Sequence, residues 1–399
     1  MDYAGLLRRY DGNLKDAGRE LRRAPDSAAA REAVALAWLQ RAQLSGDFRD
    51  YAAADRTLAS AFAAADELHA PLPSRIQLDL LLHRLPQAQL DLAQLNRRYL
   101  ARGSPQFIAD EAELAFQQGH YADALDGFHR ALRLEEGLVT LVRLAVWYGR
   151  TGRYSEAAAL LDRAASQGHS DTPYLPAWLQ VQQGMLLFDR GRWEQADECF
   201  AQAEALLHGW WLPRSRHAAV LALLGRREQA TGLYQALAAE TGDPEFLDAV
   251  ARLRREGPDP TSAADWIARA AAAHAQRLQL LPEAAYAHAA EHELWFGQPL
   301  QALELARRNA QLRPNGEARV LLAEALFKAG RAAEAKQEIE AVRATAWNTA
   351  ELHAIAAQIA AGLGRRETAE AERAQALDLN PRAFRMYLLP QPPQPETLP

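Results

Sequence analysis

The 399-residue sequence predicts an all-α protein, an elongated array of about ten stacked helix–turn–helix hairpins. Three observations carry the prediction. A turn residue, nearly always glycine, recurs every 32 to 40 residues. Each sits between two stretches of helical pattern. A small residue and then a bulky one follow it at fixed distances.

The recurring turn residues are Gly46, His83, Gly119, Gly152, Gly191, Gly225, Gly257, Gly297, Gly330 and Gly364. Glycine suits a helix end that enters the left-handed region. Alanine stands five residues later in eight of the ten units, from Ala88 to Ala369. With 85 alanines in 399 residues, chance would place about two. Nine residues after the turn stand Leu92, Phe128, Leu161, Phe200, Tyr234, Trp266 and Ile339. Steps of four and three fall on one helix face. A small residue one turn before a bulky one lets two helices approach and interlock. A hairpin of about 34 residues cannot cover its own apolar face, but a stack of them can.

In chain order, residues 1–24 are expected to cap the first repeat. Residues 25–381 form the array. The first unit is loose around "GDFRDYAAAD", the second has His83 at its turn, and the seventh reads "GPDPTS". Residues 382–399 make an apolar and proline-rich tail. Five prolines fall in its last ten residues, so it is expected to be extended.

The segments "GHYADA", "GRYSEA", "GRWEQA" and "ALDLNP" bring a family into view. The chain resembles the tetratricopeptide repeat proteins over roughly residues 29 to 381. The resemblance implies a right-handed α-solenoid with a small residue inside the first helix of a unit, where this chain has Gly184. It also implies a non-enzymatic scaffold that holds another protein or peptide in its concave groove. It places groove positions thirteen, ten, six, three and two residues before each turn. Carried over, these include Phe116 and Gln117, then Val139, Val142, Val146 and Arg150. They continue with Trp178, Val181, Met185, Phe188 and Asp189, then Glu291, Leu294, Trp295, Glu317, Glu324 and Phe327. A water-facing cluster of aromatic, aliphatic and methionine side chains suits a peptide. A register displaced by one residue would instead put Trp178 and Phe188 in the core.

Arginines flank the turns: Arg150, Arg153, Arg190, Arg192, Arg226, Arg227, Arg331, Arg365 and Arg366. Turns project from one edge of a stack, so these charges are expected to form a ridge for an acidic partner. Cations at helix C-termini also offset the helix dipole, which explains them without any partner. The adjacent Trp210 and Trp211 would point about 100° apart on a helix and cannot share one core slot, so either one of them is exposed or they pack under the junction of two units.

Catalytic signals are sparse. His288-Ala-Ala-Glu291-His292 spells an inverted zinc-peptidase pattern and gives the rival reading, a zinc-dependent hydrolase. The slot six before the turn also holds Glu113 and Glu324, so helix periodicity accounts for the acid without metal. No cofactor is expected, and no metal beyond that pair of histidines. Cys199 is expected to be a half-buried structural thiol, and a lone cysteine cannot form an internal disulfide. It suits a reducing, cytoplasmic setting; a periplasmic one would require a trimmed leader. A net charge of −6 gives no general pull toward nucleic acid. No run approaches the ~18 apolar residues of a membrane span. Two further possibilities are a peptide-sensing regulator and self-association, with Phe384–Pro399 entering the groove of a second copy.

Overall fold

The computed structural model describes residues 1–97, 103–167, 171–257 and 260–386. Every regular element among them is helical. α1 (Tyr3–Arg23) starts where the Asp2 carboxylate accepts from the Gly5 N–H, and it lies before the first hairpin. Ten hairpins follow. They are α2 and α3 (Ala28–Ser45, Phe48–Ala64), α4 and α5 (Leu72–Leu81, Leu85–Asn96), and α6 and α7 (Pro105–Gln117, Tyr121–Leu134). Next come α8 and α9 (Leu138–Arg150, Tyr154–Gln167), α10 and α11 (Tyr174–Asp189, Trp193–Leu206), and α12 and α13 (Trp211–Leu223, Arg227–Thr241). The last four are α14 and α15 (Pro244–Arg255, Ala264–Leu280), α16 and α17 (Pro282–Phe296, Pro299–Leu312), α18 and α19 (Gly316–Lys328, Ala332–Arg343), and α20 and α21 (Ala350–Gly362, Arg366–Leu379). The short α22 (Ala383–Met386) closes the described chain. The tail from residue 387 onward lies outside the described residues.

Eight of the ten turn residues adopt the left-handed conformation, with φ between 61° and 83°. His83 is among them, doing what glycine does elsewhere. In seven turns the following N–H reaches the carbonyl five residues back: Arg84 to Asp79, His120 to Ala115, Arg153 to Tyr148, Arg192 to Leu187, Arg226 to Leu221, Arg331 to Leu326, and Arg365 to Ala360. This Schellman closure satisfies a carbonyl that the ending helix would leave bare. Gly257 and Gly297 are the exceptions and lack a positive φ. Hairpins seven and eight therefore turn differently: a short 3₁₀ segment (Pro260–Ala263) precedes α15, and Pro299 opens α17.

The small-then-bulky rule is the packing rule of the hairpins. Ala88, Ala124, Ala157, Ala196, Ala230, Ala302 and Ala335 are completely buried. Phe128 and Phe200 are buried too, each contributing roughly 1.5–3 kcal/mol by the usual area relation. The Phe200 ring lies so close to Gly184 that a Cβ there would stand 2.4 Å from it. Hairpin seven departs again. Trp266 is only half-buried, while Ala270 and His274 fill the interior places of α15.

The array is not simply elongated: it coils back onto itself. The turn of hairpin three meets the loop between hairpins eight and nine, where the Gly316 N–H donates to the Tyr121 hydroxyl oxygen at 2.7 Å. The turn of hairpin four meets the next loop, the Asn348 N–H donating to the Arg150 carbonyl at 2.9 Å. After hairpin ten, the Asn380 side-chain amide donates to the Asp189 carbonyl of hairpin five at 3.0 Å. One superhelical turn therefore takes between five and six hairpins, and the second turn stacks on the first. Trp347, from a second-turn loop, packs on Phe116 and Tyr121 of the first turn.

Candidate ligand-binding lumen

Stacked turns enclose an inner wall built from the first helix of each hairpin. Positions thirteen, six and two before the turn form one stripe, since their separations are close to whole helical turns. Positions ten and three lie about 60° to one side of it. Burial follows that offset at four of the expected groove residues, while Gln117, on the stripe itself at position two, is buried as well and is likewise corrected. Val142 and Val181, at position ten, and Phe116 and Phe188, at position three, are buried between helices. The expectation that these four line an open groove is corrected: they belong to the packing layer. Phe327, also at position three, is partly buried against the same core.

The wall itself changes character along the chain. In hairpins four and five it is apolar and wet: Val139 keeps 51% and Val146 39% of their surface, with Trp178 and Met185 partly exposed. In hairpins seven to ten it is acidic, presenting Glu245, Glu291, Glu317, Glu324 and Glu351. Trp295 sits on this half with its ring under the Arg252 guanidinium at 3.7 Å. Arg150 joins the two halves, 3.7 Å from Asp189 beside it and 3.8 Å from Glu317 across the seam.

These carboxyls influence one another although they come from four helices. Burial pushes the Glu351 carboxyl up to about 8, helped by Glu317, Glu324 and Glu291 and opposed by Arg150. Burial likewise lifts Glu324 to about 7, with Lys328 and Arg252 pulling down and Glu291 pushing up. Glu291 is also raised by burial, with Glu245 and Glu317 adding to it and His288 opposing. Burial acts against the charge of Glu317 too, but Arg313, Arg150, His83 and His288 outweigh it and hold that carboxyl below its usual range. Glu291 and Glu317 nevertheless keep 56% and 43% of their side-chain surface. They are ringed by protein and reached by solvent, as a lumen wall requires.

The arginine edge divides at the seam. Around Gly152, Arg153 pairs with Glu156 at 2.8 Å and covers the Tyr148 ring. Arg190 lies over Tyr154. Asn348 and Leu379 close over Gly152, and Asn380 over Gly191, so these turns are covered by the second superhelical turn. Arg192 is exposed. On the second turn Gly225, Gly330 and Gly364 face open space. There Arg227 pairs with Glu256, Arg331 with Glu334 and Arg366 with Glu370, while Arg226 and Arg365 are exposed. The expected continuous ridge is thus half covered, and most of its charges have an acid beside them.

His288 and His292 do not converge. His288 Nδ1 stands 3.3 Å from Glu245, facing the lumen, whereas His292 Nδ1 meets Asp248 at 2.7 Å in the interior. Trp210 and Trp211 are not split between core and solvent either. Trp210 precedes α12 in extended conformation, so the helical angle does not apply, and both indole N–H groups donate to the Leu44 carbonyl at 3.2 and 3.1 Å. Cys199 is half-buried, and burial raises its thiol. Phe384 packs in its own chain, with the Arg373 guanidinium 4.3 Å from its ring. Sequence reasoning missed the seam. Its signal was an asparagine recurring in successive loops, at Asn315, Asn348 and Asn380.

No family model matches the chain, and no curated protein sequence matches it. Solved structures similar to it include a tetratricopeptide repeat protein of Parabacteroides merdae, at 18% identity and TM-score 0.38, covering 61% of this chain and 93% of that one. A thermophilic TPR protein of Thermus thermophilus is similar at 18% identity and TM-score 0.39, covering 47% and 98%. The APC/C hetero-tetramer Cut9–Hcn1 is similar at 12% identity and TM-score 0.43, covering 94% and 80%. No helix among the described residues is long and apolar enough to cross a membrane. By its own geometry of left-handed turns, buried alanines and hairpins stacked into a solenoid, the chain has an all-helical repeat fold of tetratricopeptide-like hairpins.

Proposed function

We propose that the protein is a binding scaffold whose lumen holds a cationic, amphipathic segment of another protein. One observation carries this reading: exposed apolar side chains on hairpins four and five face the same lumen as the carboxylates of hairpins eight to ten. Val139, Val146, Trp178 and Met185 supply an apolar strip. Glu291, Glu324 and Glu351 supply negative charge whose ionised form is disfavoured until a cation arrives. A lysine or arginine entering between them replaces lost solvation and relieves mutual repulsion. The wall is preformed, so little ordering cost falls on the receptor. The acidic partner expected from the turn edge has weaker support, because those arginines are paired locally or spread apart.

The test uses two labelled helical peptides, one of leucine and lysine and one of leucine and glutamate, titrated by fluorescence anisotropy. The lysine peptide is expected to bind, to weaken with salt, and to lose affinity roughly tenfold or more in Glu324→Gln/Glu351→Gln. Equal binding of both peptides, or none of the lysine peptide, would remove the proposal.

A further inference from the structure

Asp248 on α14, His274 on α15 and His292 on α16 meet inside hairpins seven and eight. His274 and His292 are 3% and 5% exposed. Asp248 spans them: its Oδ2 lies 2.7 Å from His274 Nε2, and its Oδ1 lies 2.7 Å from His292 Nδ1. The two imidazole rings are 5.1 Å apart, with Phe296 packed against His292. One ligand atom from each of the three residues lies within 4.8 Å of the others, and among the described residues no other such group of three occurs.

The cluster is a costly way to fill a core. His274 Nδ1 is buried without a hydrogen-bond partner, and a buried polar atom left unpaired destabilises the fold. An apolar side chain would fill the same place without that cost. The other repeats show as much. Five residues before the turn, where this hairpin has His292, seven of the other nine have an apolar residue (Leu78, Leu114, Trp147, Leu186, Val220, Ala325 and Ile359), and Arg41 and Arg252 are the exceptions. The histidine is a departure from the repeat, and it meets a second histidine and a carboxylate brought by two other helices.

We propose that Asp248, His274 and His292 form a binding site for a divalent transition-metal ion such as Zn²⁺. Two imidazole nitrogens and one carboxylate oxygen are the donors such ions take, with solvent in the remaining position. The nitrogen-rich set disfavours Mg²⁺ and Ca²⁺. On binding, each imidazole presents a bare nitrogen to the ion and carries its proton on the other one. The contacts of 2.7 Å widen to about 3.4 Å, the ligand spacing of a tetrahedral site with bonds near 2.1 Å. His274 Nδ1 has no acceptor to lock its ring, so the ion is exchangeable. It ties α14, α15 and α16 together across the two hairpins whose turns lack a left-handed residue. The site is not the His288/Glu291/His292 pattern of the sequence, since His288 takes no part.

The experiment titrates the full chain, stripped with chelator, with Co²⁺ and then Zn²⁺. One Co²⁺ per chain is expected, with a visible ligand-field band of nitrogen coordination that Zn²⁺ abolishes. Zn²⁺ is also expected to raise the melting temperature. His292→Ala and Asp248→Asn, each checked for helix content, should weaken Co²⁺ binding by roughly a hundredfold or more. His288→Ala should leave it unchanged. Absence of a stoichiometric band in the unsubstituted chain overturns the proposal without any variant. So does a band lost in His288→Ala and kept in His292→Ala.

Discussion

The Gly316 N–H donates to the Tyr121 hydroxyl oxygen across 195 positions of sequence, at 2.7 Å and out of solvent. That bond joins the first superhelical turn to the second at the point where Trp347 covers both residues. Burial pushes the Tyr121 phenol up to about 12, so it stays neutral. Tyr121→Phe removes the acceptor and leaves a buried N–H unpaired. The expected cost is about 1–3 kcal/mol, read as a lower urea midpoint with an unchanged slope.

Two glycines should respond to alanine with opposite signs. A Cβ at Gly316 would stand 2.2 Å from the Trp347 ring, which is itself held by Phe116 and Tyr121. Gly316→Ala should therefore destabilise by roughly 1–3 kcal/mol through overpacking. Gly232, inside α13, has nothing within 4 Å of its added Cβ. Gly232→Ala should stabilise by about 0.5–1 kcal/mol, because alanine loses less backbone freedom in a helix. Thermal melts of the two variants check the pair.

His83 occupies a left-handed turn at φ 61°, a conformation that costs an L-residue about 1–2 kcal/mol. Its ring also contacts Gln117 at 3.3 Å. His83→Gly and His83→Ala both lose that contact, and only the glycine relieves the backbone. The glycine variant is expected to be more stable than the alanine variant by about 1 kcal/mol. Equal unfolding midpoints would show that the turn is not strained.

The lumen carboxyls set a pH dependence. Glu351 and Glu324 rise from the ordinary 4.5 to about 8 and about 7 on folding. The folded chain then holds protons that the unfolded chain has released, so their contribution to stability falls as pH climbs from about 4.5 toward 8. Asp79, raised by burial to about 7, adds to the same slope. Urea midpoints should fall between about pH 5 and about pH 8, and Glu324→Gln/Glu351→Gln should flatten the fall. Affinity for the leucine–lysine peptide should move the opposite way, strengthening as these groups ionise.

Which parts of this were legible from the chain alone follows from range. Gly119, Ala124 and Phe128 lie within one hairpin, and their spacing alone predicts a turn, a close approach and a knob. The inner wall was legible only in part. The family positions put Val146, Met185 and Glu324 near the lumen, but Val142 and Phe188 lie 60° away on the same helices and are buried. Sequence spacing locates a helix face to within about one residue, and one residue is 100°. Of the two readings open for Trp210 and Trp211, packing at a junction holds, because Trp210 precedes α12 instead of lying on it.

Local chemistry in the sequence was thus sufficient for the hairpin, its turn and the alanine-lined contact between its helices, because those residues are near neighbours along the chain. The superhelical closure, the acidic half of the lumen and the meeting of Asp248 with His274 and His292 were decided only by the tertiary structure. Each depends on small rotations between hairpins that accumulate over five or six units. A rotation of that kind is set by the whole interface between neighbours, and no single recurring residue encodes it.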